Sequence, residues 1–172
     1  MNVARLRRAA LVITAAALLG CGESPLAPVP PPPQASLIGS ILQATGLLSC
    51  TPMPTASATR TVGSAGGVIR IGPHTLSIPA GALAAPVTIT ATAPSDNVNR
   101  VRLRPEGLVF RRSATLTMSY GNCNLLGRIL PKRVAYTDDA LNILSYVLSL
   151  DNLYSQYVTG RLNHFSNYAI AW

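Results

Sequence analysis

Only one place in this sequence sets a nucleophile and a base in a recognised pattern: His164-Phe165-Ser166, where an imidazole and a hydroxyl flank one aromatic residue. A neighbouring base is the minimum needed to activate a serine hydroxyl. Packing explains the same triplet, with Phe165 in a core, Ser166 closing a turn and His164 half exposed, and the sequence identifies no third residue that would orient His164. The other usual constellations find little support. The acidic residues are Glu23, Asp96, Glu106, Asp138, Asp139 and Asp151. Only Asp138 and Asp139 are adjacent, in what reads as a hairpin turn before Leu144, where aspartates normally cap backbone groups. Calcium would need more oxygen ligands at short spacing than this turn supplies. His74 and His164 stand far apart and pair with no cysteine at zinc spacing. The glycines from Gly63 to Gly67 open a strand and not a helix, so they make no phosphate loop. The residues call for no metal and no cofactor.

Arginine offers a second kind of chemistry. In Arg100-Val101-Arg102-Leu103-Arg104 a period of two puts three guanidinium groups on one side of a strand and the apolar residues on the other. A solvated outer face accounts for this stripe. The functional alternative is contact with an acidic polysaccharide or lipid phosphate, which planar guanidinium groups recognise well. The formal charge of +8 includes Arg5, Arg7 and Arg8, and without these three it falls to +5. The remaining basic residues are dispersed with few aromatics between them, so nucleic acid is not an expected partner.

Cysteine decides the compartment. Leu18-Leu19-Gly20-Cys21 follows the three early arginines and an uncharged apolar run from Ala9 to Ala17, the layout of a secretory signal. The run is shorter than the roughly 20 residues a membrane-spanning helix needs. This stretch resembles the lipobox of a bacterial lipoprotein precursor, which implies cleavage before Cys21 and acylation of its thiol, anchoring the chain in a lipid bilayer. Gly22 follows, not the aspartate that keeps enteric lipoproteins on the inner membrane, so the resemblance favours the outer membrane, with the chain on its periplasmic or surface face. The alternative is an ordinary signal peptide with a free cysteine nearby. Once Cys21 is acylated, Cys50 and Cys123 remain as the only thiols of an exported chain, and a disulfide between them is expected, two buried free thiols being the alternative.

Three regions must position these groups. Residues 1–20 read as the signal peptide. Residues 21–59 read as the lipidated cysteine, a proline-rich tether and a short helix. Pro28 and Pro30 to Pro33 favour polyproline II, which at about 3.1 Å per residue would lift the rest of the chain about 40 Å from the lipid. Between Ser36 and Ser49, Leu37, Ile38, Ile41, Leu42 and Leu48 recur at helical spacing, with Ser36 as N-cap and Gly46 as stop. Residues 60–172 read as an all-β antiparallel sandwich, with strands at 67–71, 74–78, 87–93, 101–104, 114–120, 133–137, 144–148, 156–162 and 168–172.

Four pieces of this last region carry a resemblance. Gly66-Gly67-Val68, Leu76-Ser77-Ile78-Pro79-Ala80-Gly81-Ala82-Leu83, Arg104-Pro105-Glu106-Gly107-Leu108-Val109-Phe110 and His164-Phe165-Ser166-Asn167-Tyr168 look like the ZU-five domain of netrin receptors, ankyrins and a tight-junction scaffold. The resemblance spans roughly 61–172, with 121–159 matching only in strand rhythm. It implies a β-sandwich used as a scaffold or interaction module with a protein or glycan partner. In some ZU-five proteins the serine of His-Phe-Ser attacks the preceding carbonyl and the chain is cut. That would make Ser166 the nucleophile, His164 the base or orienting group, and the Phe165–Ser166 peptide the cleaved bond. Many relatives carry the triplet uncut, and the structural use is preferred. From the residues alone, Pro79 and Gly81 should end a strand, and Gly107 should turn the chain before Phe110 enters the core.

Overall fold

The computed structural model describes residues 46–125 and 130–172. The expected signal peptide, Cys21, the proline-rich stretch and most of the expected helix lie outside them.

The described chain forms two packed antiparallel sheets, a β-sandwich as expected. Its strands are β1 (Ala56–Val62), β2 (Gly67–Ile71), β3 (His74–Ile78), β4 (Val87–Ala93), β5 (Arg100–Arg104), β6 (Val109–Ser119), β7 (Arg133–Thr137), β8 (Ile143–Tyr146), β9 (Ser149–Asn152), β10 (Tyr157–His164) and β11 (Asn167–Ala171). The first sheet runs β1-β4-β5-β11-β7-β8 and the second β2-β3-β6-β10-β9. The alternation that makes a half-buried strand is plain in β5, where Val101 and Leu103 are buried and the arginines point outward. Likewise β3 buries His74, Leu76 and Ile78, and β6 buries Ala114, Leu116 and Met118. Every residue of β11 is buried. Tyr168 and Ile170 belong to the main core, while Ala169 and Ala171 join a second cluster with Leu47, Val98 and Ala135 on the other side of the strand.

Turn chemistry follows the expected residues. Gly81 and Gly107 both have positive φ, +76° and +74°, the backbone region that side chains disfavour. Asp138 caps its turn, accepting from the backbone and side-chain nitrogens of Asn142 at 2.8 and 2.7 Å.

Two details differ from the expectation. Leu48, counted at helical spacing, lies in extended chain beyond Gly46, the expected stop of the helix. Gly46 has φ +79°, and beyond it Leu47 bridges Ala171 while the Leu48 amide donates to the Ile170 carbonyl at 2.9 Å. Leu48 is therefore buried as extended chain, because pairing with β11 and a covalent tie at Cys50 both require it. The sandwich also starts earlier than residue 60, at Ala56, and gains the unexpected strand β9.

Cys50 and Cys123 form the expected disulfide, 73 residues apart in sequence. A polar clasp surrounds it. The Asn99 side-chain amide donates to the Ser119 carbonyl at 2.9 Å and to Asn122 Oδ1 at 2.7 Å, and the Asn122 amide donates to the Thr51 carbonyl at 2.6 Å. With the Cys50 amide donating to the Asn97 carbonyl at 2.8 Å, residues 47–51 are held to the sandwich by backbone, side-chain and covalent bonds together.

Candidate functional site

The His-Phe-Ser triplet stands where the chain changes sheets. β10 belongs to the second sheet and ends at His164; β11 starts at Asn167 in the first, so Phe165 and Ser166 alone make the crossing. The pairing of β10 with β6 slips between Leu162 and His164, the kind of irregularity that re-aims a side chain at a sheet rim. Backbone hydrogen bonds sew the crossing down. The Phe165 amide donates to the Leu108 carbonyl at 2.8 Å, the Gly107 amide to the Phe165 carbonyl at 2.9 Å, and the Leu103 amide to the Ser166 carbonyl at 3.0 Å. Phe165 is fully buried, edge-on to Phe110 with ring centroids 4.9 Å apart, and Ser166 is buried beside it.

His164 does not face the serine hydroxyl. Its Nδ1 lies 3.4 Å from the Phe165 carbonyl oxygen, and among the described residues no hydrogen bond joins His164 to Ser166 Oγ. In the Nδ1–H tautomer the Phe165 carbonyl therefore has two donors, Gly107 N–H and His164, the arrangement that stabilises developing negative charge on an oxygen. The imidazole is oriented by aromatics: Tyr136 meets it edge-on at 5.1 Å, and the Tyr168 ring lies 6.1 Å away. The Tyr168 hydroxyl donates to the His164 carbonyl at 2.7 Å. Burial, and then the neighbouring Tyr136, push the Tyr168 phenol well above its ordinary pKa, so it stays a neutral donor. The geometry supplies a polarised carbonyl and a positioned ring, without a base on the hydroxyl.

An open cleft of about 450 Å³ begins at His164, its walls including Ser113, Ser145, Tyr146, Leu148 and Arg161. Two further hollows, of about 610 and 350 Å³, continue along β9 and share Leu150 and Thr159. This side of the sandwich carries large apolar side chains in water: Leu148 is 71% exposed, Leu150 76% and Tyr154 99%. Leu144 and Leu153 are exposed with them. Sequence reasoning missed this side, since Ser145 and Leu148 lie around β8, Ser113 on β6 and Arg161 on β10, and only the pairing of strands brings them together.

The arginine stripe is present but partly withdrawn from solvent. Arg100 pairs with Asp96 at 2.5 Å and its side chain is 12% exposed. Arg104 faces Glu106 at 3.6 Å and donates to the Leu103 carbonyl at 3.2 Å. Arg102 lies between them, and Nε of both Arg100 and Arg102 is buried without a hydrogen-bond partner. Among the described residues no cluster of His, Cys, Asp or Glu could hold a metal ion. Cys21 lies outside the described residues. No known protein family matches the chain, and no curated protein is similar to it.

Proposed function

We propose that this protein is a lipid-anchored, ZU-five-like interaction module of the bacterial cell envelope. Acylated Cys21 would hold it to the bilayer, and the side of the sandwich formed by β8, β9 and β10 would meet its partner. The observation that carries this reading is the set of exposed apolar side chains Leu144, Leu148, Leu150, Leu153 and Tyr154 within eleven residues of chain. Clustered exposed apolar side chains of this kind mark interaction sites. The anchor rests on the basic, apolar and Leu-Leu-Gly-Cys sequence of the first 21 residues. The test has two arms. Cell fractionation of Cys21→Ala should place the protein outside the membrane fraction or leave an unprocessed precursor. A processed variant that stays membrane-bound removes the anchor from the reading. In the second arm the purified Cys21→Ala chain should bind isolated envelopes saturably, and Leu148→Ser/Leu150→Ser/Tyr154→Ser should lose most of that binding while melting normally. Equal retention of both proteins would refute the module.

A second reading, self-cleavage between Phe165 and Ser166, is favoured by the Gly107 N–H on the Phe165 carbonyl, joined in the Nδ1–H tautomer by His164 at 3.4 Å. Its test is the intact mass of the purified chain. A product ending at Phe165 that disappears in Ser166→Ala would establish it, and a single uncut species after prolonged incubation would retire it.

A further inference from the structure

The cleft at His164 has an unusual charge balance. None of its lining residues is acidic, yet it holds Arg161, which among the described residues has no hydrogen-bond or ion-pair partner for its side chain. A second guanidinium, that of Arg133, lies 3.9 Å above the ring of Tyr146, which forms part of the wall. The imidazole of His164 uses only Nδ1 within the chain, so Nε2 is free to serve the cleft. A concave surface of one sign concentrates ions of the other.

The neutral groups narrow the ligand further. Ser113 Oγ donates to Asn163 Oδ1 at 2.8 Å, which fixes that amide so that its nitrogen remains a donor. Ser145 adds a hydroxyl, and Leu148 an exposed apolar wall. A planar, unpaired guanidinium suits a carboxylate, which it can hold with two parallel hydrogen bonds. Hydroxyl and amide groups beside an apolar wall suit a sugar ring, with its hydroxyl rim and C–H faces.

From this we infer that the cleft between β8 and β10 binds a carboxylate-bearing saccharide, with Arg161 on the carboxylate and Asn163, Ser113 and His164 on ring hydroxyls. The inference rests on the module reading above, since it names the ligand class for the same side of the domain. It also relocates anion recognition from the Arg100, Arg102 and Arg104 stripe, where two guanidiniums are tied to Asp96 and Glu106.

The experiment is an NMR titration of the full chain with an α-1,4-linked galacturonate trisaccharide, against its neutral methyl ester and an acidic tripeptide of equal charge. Saturable shifts are expected at the amides of residues 145–148 and 161–164. Arg161→Gln should weaken binding at least tenfold, whereas Arg102→Gln should leave it unchanged. Arg161 is exposed, so its substitution leaves the fold intact, which a melting curve checks. Equal binding of the methyl ester would overturn the carboxylate, and equal binding of the tripeptide would overturn the saccharide. Loss of binding in Arg102→Gln alone would return the site to the stripe. A chain that ignores the saccharide yet still loses envelope retention on Leu148→Ser/Leu150→Ser/Tyr154→Ser refutes this inference and leaves the module standing.

Discussion

His74 makes the stability of this domain depend on pH above the range where carboxylates titrate. The imidazole points into the core from β3 and is 1% exposed. Its Nδ1 accepts the Ser119 amide at 3.1 Å, so the ring sits there as the neutral Nε2–H tautomer. Protonating Nδ1 would break that bond and place a charge among apolar side chains, and burial accordingly lowers the pKa from 6.5 to about 4. In the unfolded chain the same group takes up its proton near 6.5. The unfolded state therefore binds more protons throughout the interval from 6.5 down to about 4. The contribution of a neutral His74 is complete above 6.5 and is lost progressively as the pH falls through that interval. Between pH 7.5 and 5 the linkage integral comes to about 2 kcal/mol. Urea unfolding at pH 7.5, 6.5, 5.5 and 5 should show that decline, and His74→Gln, which keeps an acceptor for the Ser119 amide, should abolish most of it. A wild-type curve flat over this interval, or an NMR titration placing His74 near 6.5 in the folded protein, would refute the reasoning.

Other substitutions probe the packing directly. Replacing both Cys50 and Cys123 with alanine releases a 73-residue separation and should cost about 4.5 kcal/mol by loop entropy, read from the urea midpoint. Gly160→Ala would bring a Cβ to 2.8 Å from Val134 Cβ and 2.9 Å from a Val147 methyl, where the two sheets meet, and should destabilise the domain by about 2 kcal/mol in thermal melting. Tyr120→Phe removes a 2.7 Å hydrogen bond to Asp151 Oδ1 and should cost about 2 kcal/mol, measured by chemical denaturation.

The strands easiest to read from sequence were those with one apolar face and punctuated ends. The limits expected for β2, β3, β4 and β7 coincide with the observed ones, because turn formers bracket their apolar residues: Gly66 and Gly72, Pro73 and Pro79, Pro86 and Pro94, and Pro131 and Asp138. β1 escaped because its inward residues Ala56 and Ala58 give a faint apolar signal. It is held by antiparallel pairing with β4 along its whole length, and hydroxyl pairs Ser57–Thr92, Thr59–Thr90 and Thr61–Thr88, at 3.0, 3.0 and 2.9 Å, line the outer face. β9 escaped for the opposite reason. Asp151 and Asn152 read as turn residues, yet Asp151 is used in the fold, accepting from the Tyr120 hydroxyl and, at 2.8 Å, from the Lys132 amide. The arginine stripe was legible in its direction and not in its surroundings, since the partner of Arg100 depends on how the turn before β5 folds back.

The candidate site divides in the same way. His164, Phe165 and Ser166 were visible as a triplet, but the group that most alters the Phe165 carbonyl is the Gly107 amide, brought there by the loop between β5 and β6. Gly107 reads as a turn residue in the sequence, and its φ of +74° agrees. The same turn presents an N–H to the crossing between sheets. This double use accounts for the triplet without chemistry: a chain leaving one sheet for the other must satisfy its backbone groups on the way, and a buried carbonyl without a partner would cost about 1–3 kcal/mol. It also sets what cleavage would change. If Ser166 were to become a new N-terminus, β11 would still be paired with β5 and β7, and Tyr168 and Ile170 would still lie in the core. The severed strand would be retained by its hydrogen bonds and packing alone, so cutting the crossing would remove the covalent link between the sheets at this point and leave the sandwich assembled. The carbonyl geometry at Phe165 is thus compatible with both uses, and the position of the hydroxyl proton acceptor separates them: His164 serves the carbonyl, which is what closing the crossing requires, while attack by Ser166 would require the ring to turn toward Oγ against its packing on Tyr136.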